Sequence, residues 1–187
     1  MKKTILQLTF VASLILLICL TYCCQQKEAE EAPAAITVEE IKANVQKEID
    51  EAWNKGNVDV LDELYASNIV YHIPPYPDVV GLEAYKKFIL DNRSGYPDLV
   101  LTIQEVIVEG NSGSMMWTYE GTQEGGSPVF GIPPTGKHVI FKGCAFFHTQ
   151  DGKTVETWNY VDWVGLMKQQ GFTITPPQQE ESAEEKK

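Results

Sequence analysis

Cysteine, histidine and basic side chains are the scarce residues of this chain. Of its 4 cysteines, Cys19, Cys23 and Cys24 crowd into the first two dozen positions, leaving Cys144 alone in the body of the sequence. One thiol cannot close an internal disulfide. Flanked by apolar residues, it reads as a small buried hydrophobe rather than a nucleophile. The 3 histidines, His72, His138 and His148, are scattered and make no recognisable metal-ligand set. No metal and no cofactor are expected. Against 26 acidic residues stand only 15 basic ones, a net charge of −11, and no basic cluster is interleaved with aromatics. Nucleic acid is therefore not an expected partner. What the chain does have is 43% hydrophobic and 10% aromatic residues in 187 positions, enough for one domain with an ordinary core.

Charge is also absent from Thr4 to Gln26, after Lys2 and Lys3. A basic start, the apolar core FVASLILLICL and the pair Cys23-Cys24 form an export signal over residues 1–24. The polar stretch QQKEAEEAPAA follows, so that 25–35 reads as an acidic tether. This arrangement resembles a bacterial lipoprotein, which implies lipid attachment at one of Cys23 and Cys24 and a membrane anchor in the bacterial envelope. An uncleaved signal anchor, since the uncharged stretch is long enough to span a bilayer, and a freely secreted form are the alternatives. All three export the domain at 36–175. The tail from 176 to 187 is charged, poor in apolar residues and expected to be disordered.

Within the domain the hydrophobic period changes once. Thr37-Val38-Glu39-Glu40 is a capping box, and Ile41, Val45, Ile49, Ala52 and Trp53 then recur on one helical face up to Gly56. A shorter helix carries Leu61, Leu64 and Tyr65. A short strand over Ile69–Ile73 is broken by Pro74-Pro75-Tyr76-Pro77, and a third helix runs from Leu82 to near Leu90. From Leu99 the period becomes two, giving strands over 99–109, 114–123, 139–149 and 154–162. Three helices followed by an antiparallel meander predict an α+β domain, with helices on one face of a curved sheet.

Residues 130–171 carry a more specific signal. They begin with the stiff loop Gly131, Pro133, Pro134, Thr135, Gly136, Lys137, expected at a cavity mouth or a subunit edge. Asp151, Gly152 and Lys153 then mark a hairpin, followed by Glu156, Trp158, Asp162, Gly165, Leu166, Gln170 and Gly171. These residues at these spacings resemble the SnoaL-like polyketide cyclase, or ester cyclase, family. The resemblance implies the cone-shaped nuclear transport factor 2-like fold, with three N-terminal helices packed on a curved antiparallel sheet. It further implies a pocket for a small hydrophobic molecule and a cyclase, isomerase or hydrolase activity that works by acid/base chemistry.

Strand parity places Phe141, Gly143, Ala145 and Phe147 on one apolar face. If the hairpin loop has three residues with Gly152 left-handed, Val155, Thr157, Asn159 and Val161 lie across from them. Aligned without gaps through Asp151-Gly152-Lys153, the resemblance implies that the family's aspartate general acid/base falls at Asn159 and the histidine facing it at Ala145. An amide and a methyl group cannot exchange protons near neutral pH, so that pair is lost. A non-catalytic binding protein is therefore the alternative reading. Asn159, Ala145, Trp117, Tyr119, Phe141 and Phe147 are the candidate pocket residues. His72 is the remaining acid/base candidate, because imidazole titrates near physiological pH; since alternation turns Tyr71 and His72 to opposite faces, only one can reach the pocket. The opposite face, with Phe146, Trp158 and Tyr160 among polar residues, suits a homodimer contact. Asp162 is placed to cap the last helix.

Overall fold

A computed structural model describes residues 36–175, apart from 127–130 and 132. The expectations for the signal and its Cys23 and Cys24, for the tether and for the acidic tail lie outside the described residues.

The first helix, α1 (Val38–Lys47), starts where the capping box puts it. Thr37 Oγ1 accepts the Glu40 amide at 3.2 Å, and the Glu40 carboxylate accepts the Thr37 amide at 2.8 Å. Its apolar stripe buries Ile41 and Val45. The helix passes directly into a wider π-helical turn, Glu48–Trp53, in which the Asn54 amide bonds back to the Ile49 carbonyl at 2.9 Å. The extra residue per turn lets Glu48, Ile49, Ala52 and Trp53 all face inward, and such turns recur at functional sites. Gly56, at φ 78°, ends the run.

A 3₁₀ turn (Val58–Val60) and the single-turn helix α2 (Leu61–Leu64) lead into β1 (Tyr65–His72). A two-residue strand β2 (Val79–Val80) and α3 (Leu82–Gly95) follow, then β3 (Val100–Glu109), β4 (Ser112–Thr122), β5 (His138–Gln150), β6 (Lys153–Val161) and α4 (Trp163–Gln170). Asp162 caps α4 as expected, its Oδ1 accepting the Gly165 amide at 2.8 Å.

The six strands form one open sheet in the order β2-β1-β6-β5-β4-β3. Four pairings are antiparallel, but β1 runs parallel to β6, so the sheet is mixed rather than antiparallel throughout. The reason is connectivity. Parallel neighbours need a long crossover, and everything from residue 73 to 152 lies between these two strands. Register shifts in β1, β3 and β6 bend the strands and curve the sheet. Helix α1 packs over β3 and α3 over β1, on the concave side.

The last hairpin departs from expectation in a compensating way. Asp151 (φ 50°) and Gly152 (φ 79°) make a two-residue turn, with Gln150 opposite Lys153. A bulge follows: Thr149 pairs with Thr154 and His148 with Glu156, leaving Val155 as the extra residue. That one insertion restores the register a three-residue loop would have set. Ala145 therefore does lie opposite Asn159, and Gly143 opposite Val161.

Candidate active site

The concave face, α1 with its π-helical turn, and α3 enclose a hollow. Including its open mouth it measures about 580 Å³, and the space that the centre of a water molecule can reach within it is about 50 Å³. On the latter measure one water needs about 10–15 Å³, so the interior takes a compact molecule rather than a large polycycle. Val161 and Trp163, half-buried at the junction of β6 and α4, mark one side of the opening.

Five of the sequence-derived candidates line it: Trp117, Tyr119, Phe141, Ala145 and Asn159. Gly143 makes room among them, because a Cβ there would collide with the six-membered ring of Trp117. Asn159 is buried, and its Oδ1 accepts the Trp117 indole N–H at 3.1 Å. The Tyr71 phenol lies near the Asn159 side chain, which lowers its pKa slightly against the larger upward push of burial and Glu48. Ala145, across the ladder, offers only a methyl group.

Two candidates are misplaced by the sequence reading. Phe147 is buried but belongs to a neighbouring cluster with Ile41 and Val45, the tip of its ring lying over Gly113, where a Cβ would collide. His72 lies on the outer face of the sheet. Alternation buries Ile69, Tyr71 and Ile73 on the inner side of β1, and two isoleucines outvote one histidine. There His72 Nδ1 sits 2.8 Å from Asp78, Nε2 sits 3.1 Å from Glu156, and the ring stacks on Trp158 at 5.1 Å. Burial pulls its pKa down, but the two carboxylates outweigh that and leave it raised. His72 is a fastening between β6 and the 74–78 loop. The Pro-Pro-Thr-Gly loop does not reach the cavity either. Thr135 instead donates to buried Gln123 at 2.7 Å, which accepts from Gln170 of α4 at 3.0 Å, and Gln170 donates to Tyr96 at 2.8 Å. Burial pushes the Tyr96 phenol up to about 12.

The residue that sequence reasoning missed is Glu48. It stands at the start of the π-helical turn, 4% exposed. Its Oε1 accepts the Tyr85 hydroxyl at 2.6 Å and the Trp53 indole N–H at 3.2 Å, and its Oε2 accepts the Tyr65 hydroxyl at 2.6 Å. These three donors favour the carboxylate. Burial works against it and wins, so the Glu48 carboxyl holds its proton above the ordinary range. The phenols of Tyr65, Tyr71 and Tyr85 are pushed up by burial and by the nearby Glu48. The signal was present: Glu48 falls on the apolar stripe, three residues after Val45 and four before Ala52. Two further polar groups face the hollow without partners, the Tyr119 and Thr157 hydroxyls. Among the described residues no group of three His, Cys, Asp or Glu could hold a metal.

The family model for SnoaL-like polyketide cyclases matches residues 43–170. The chain belongs to the SnoaL-like polyketide cyclase family. Solved structures agree with a SnoaL-like fold of the nuclear transport factor 2 type. One from Jannaschia sp. CCS1, assigned as a SnoaL-like polyketide cyclase, is 25% identical, the match covering 73% of this chain and 94% of that one at a TM-score of 0.65. TsrD from Streptomyces laurentii is 26% identical over 73% of this chain and 98% of its own, also at 0.65. AclR from Streptomyces galilaeus, assigned as a hydroxylase, is 23% identical over 72% and 98% at 0.61, and shows the fold alone. No curated protein matches the chain. In this SnoaL-like domain Asn159 and Ala145 face each other across β5 and β6. The acidic side chain of the cavity, Glu48, comes from the π-helical turn that follows α1.

Proposed function

We propose that this SnoaL-like protein is an exported enzyme that binds a compact, largely apolar molecule and moves a proton on it, as a cyclase, isomerase or hydrolase would. The observation that carries the reading is Glu48. It is the acidic side chain of an aromatic cavity, it is desolvated, and burial raises its pKa above the ordinary carboxylate value, as suits a group that gives and takes a proton. Asn159 orients a polar atom of the substrate, and Tyr85 and Tyr65 hold the carboxyl in place. The test is isotopic. Molecules that copurify with the protein are extracted, identified by mass spectrometry and returned to it in D2O. Deuterium incorporation or turnover by the wild type, lost in Glu48→Gln, supports the reading; retention in Glu48→Gln refutes Glu48 as the proton carrier.

A second reading, a binding protein without turnover, is favoured by Asn159 and Ala145 standing where the family has its acid/base pair. It predicts stoichiometric binding with no isotope exchange, and Asn159→Asp that changes affinity without creating activity.

Export itself is proposed from the leader, with lipid on Cys23 or Cys24. Labelling with a radioactive fatty acid, lost when both are changed to Ser, supports this; persistent labelling of the double variant refutes it. No helix among the described residues is long and apolar enough to cross a membrane.

A further inference from the structure

The cavity wall combines two features that a purely apolar ligand does not need. Its surface is built from rings, chiefly those of Trp53, Tyr65, Tyr71, Tyr85, Trp117 and Phe141. Its one acidic side chain is Glu48, and no lysine, arginine or histidine lines it among the described residues. A neutral hydrocarbon would be held as well by leucine and valine. An aromatic face carries negative charge density and attracts a cation, most strongly when water is excluded. Rings and carboxylate thus select for the same sign of charge, and both disfavour an anion.

We propose that this cavity takes a small organic cation, a quaternary ammonium with an apolar body, whose positive centre sits beside Glu48 against the wall formed by the rings of Tyr65, Tyr71 and Tyr85. The inference rests on the reading of the cavity as the ligand site, but not on turnover there.

The geometry suits such a ligand. The Tyr71 and Tyr85 ring centroids are 4.8 Å apart and those of Tyr65 and Tyr85 are 5.1 Å apart, so the three rings pack against one another as one wall beside the carboxyl, against which a cation can lie. Glu48 already accepts from two phenols and an indole. A quaternary ammonium needs no hydrogen bond, so it asks for nothing that these donors occupy. At about 50 Å³, on the measure that gives one water about 10–15 Å³, the cavity has room for several waters and so for a trimethylammonium-sized head. The Thr157 and Tyr119 hydroxyls, each 4% exposed and unpartnered, are available to an uncharged oxygen elsewhere on the ligand. The nearby basic group, Arg93, is turned away from the cavity. Its guanidinium donates to the carbonyls of Trp53 and Asn54 at the end of the π-helical turn. The chain's net charge of −11 draws cations toward the mouth.

The burial that raises the Glu48 pKa also gives the proposal a signature. A docked cation supplies the counter-charge that the fold lacks, so Glu48 ionises and its proton passes to the buffer. The phenols facing it, Tyr65, Tyr71 and Tyr85, have raised pKa values and stay neutral throughout. The ionised carboxylate is then a base beside the bound molecule, which links the binding preference to the proton chemistry proposed above.

The experiment is isothermal titration of the full chain at pH 6 with choline and with 3,3-dimethyl-1-butanol, its uncharged isostere, in buffers of different ionisation enthalpy. Choline is expected to bind at least tenfold more tightly than the alcohol and to release a fraction of one proton. Glu48→Gln should abolish both the preference and the release. Tyr71→Leu, which leaves Glu48 and its three donors in place, should weaken choline and spare the alcohol, and melting curves establish that each variant is folded. Should Glu48→Gln fail to fold, Tyr71→Leu and the wild-type proton release decide the matter. Equal binding of the two probes, or choline binding without proton release, overturns the cation assignment while leaving an apolar ligand site intact. If neither probe binds, the assignment also fails, and titration with toluene then shows separately whether the cavity accepts any ligand.

Discussion

Replacing Glu48 by Gln changes one oxygen to an amide and removes one titration, and the two effects separate by pH. The amide keeps an acceptor for one tyrosine but points N–H groups at the other, so one buried hydrogen bond is lost or must reverse. That costs about 1–2 kcal/mol at low pH, where wild-type Glu48 is neutral in both folded and unfolded chains. As pH rises past about 4.5, the unfolded glutamic acid loses its proton while the folded one keeps it. The folded state then binds more protons than the unfolded, so wild-type stability falls as pH rises toward the raised folded value. The slope is about 1.4 kcal/mol per pH unit for one group. The Gln variant lacks this titration, and every other group is common to both proteins. Its deficit is therefore expected to shrink with pH, and to reverse once the wild type has lost more than the hydrogen bond is worth. Urea denaturation of both proteins, followed by tryptophan fluorescence at half-unit steps from pH 4.5 to 8, measures the difference. A gap that stays constant across that range refutes a desolvated Glu48.

Three further outcomes are expected. The His72 pairings with Asp78 and Glu156 contribute about 1 kcal/mol, present in full below the ordinary histidine value of 6.5 and lost as pH rises through the raised folded value. His72→Ala should erase that pH-dependent part in melting curves without altering ligand binding, and loss of binding or turnover would return His72 to the site. Gly143→Ala puts a methyl group into the Trp117 ring and beside the Tyr160 carbonyl; it should cost about 1–3 kcal/mol in thermal unfolding, and a neutral result contradicts the packing of Trp117 across β5. The outer face exposes Phe146, Met116, Ile140 and Tyr160, with 42%, 51%, 48% and 53% of their surface open. We propose a homodimer through it. Sedimentation should show a dimer that Phe146→Glu with Tyr160→Glu dissociates, whereas a monomeric wild type at micromolar concentration rules the contact out.

The parts of this fold that were legible in sequence are those set by local pattern. The capping box at Thr37, the change from helical to alternating period at Leu99, and the cap at Asp162 each depend on residues within a few positions of one another, and each is found where it was read. The facing of Ala145 and Asn159 was also legible, though by an incomplete route. The turn is a residue shorter than expected, and the bulge at Val155 restores the register, a compensation that alternation alone does not reveal. Non-local choices were not legible. Nothing near β1 says that it will lie parallel to β6, because that pairing is decided by how the intervening chain crosses over. His72 attracted attention for its chemistry, while the parity of Ile69, Tyr71 and Ile73 already turned it outward. Glu48 was hidden by the reverse habit. A charged residue on a helix is usually solvated, yet this one interrupts an apolar stripe, and the Trp53 indole with its tyrosine partners from β1 and α3 makes its burial tolerable.

The account turns on Glu48 being the buried acid of a cavity that holds a ligand. A crystal structure of the protein as isolated, with whatever molecule it carries, tests this most directly. The expected result is density filling the space between the Glu48 carboxyl and Asn159, with Tyr65 and Tyr85 still hydrogen-bonded to Glu48. Glu48 turned to solvent, or Trp117 and Phe141 closed over an empty core, would contradict it.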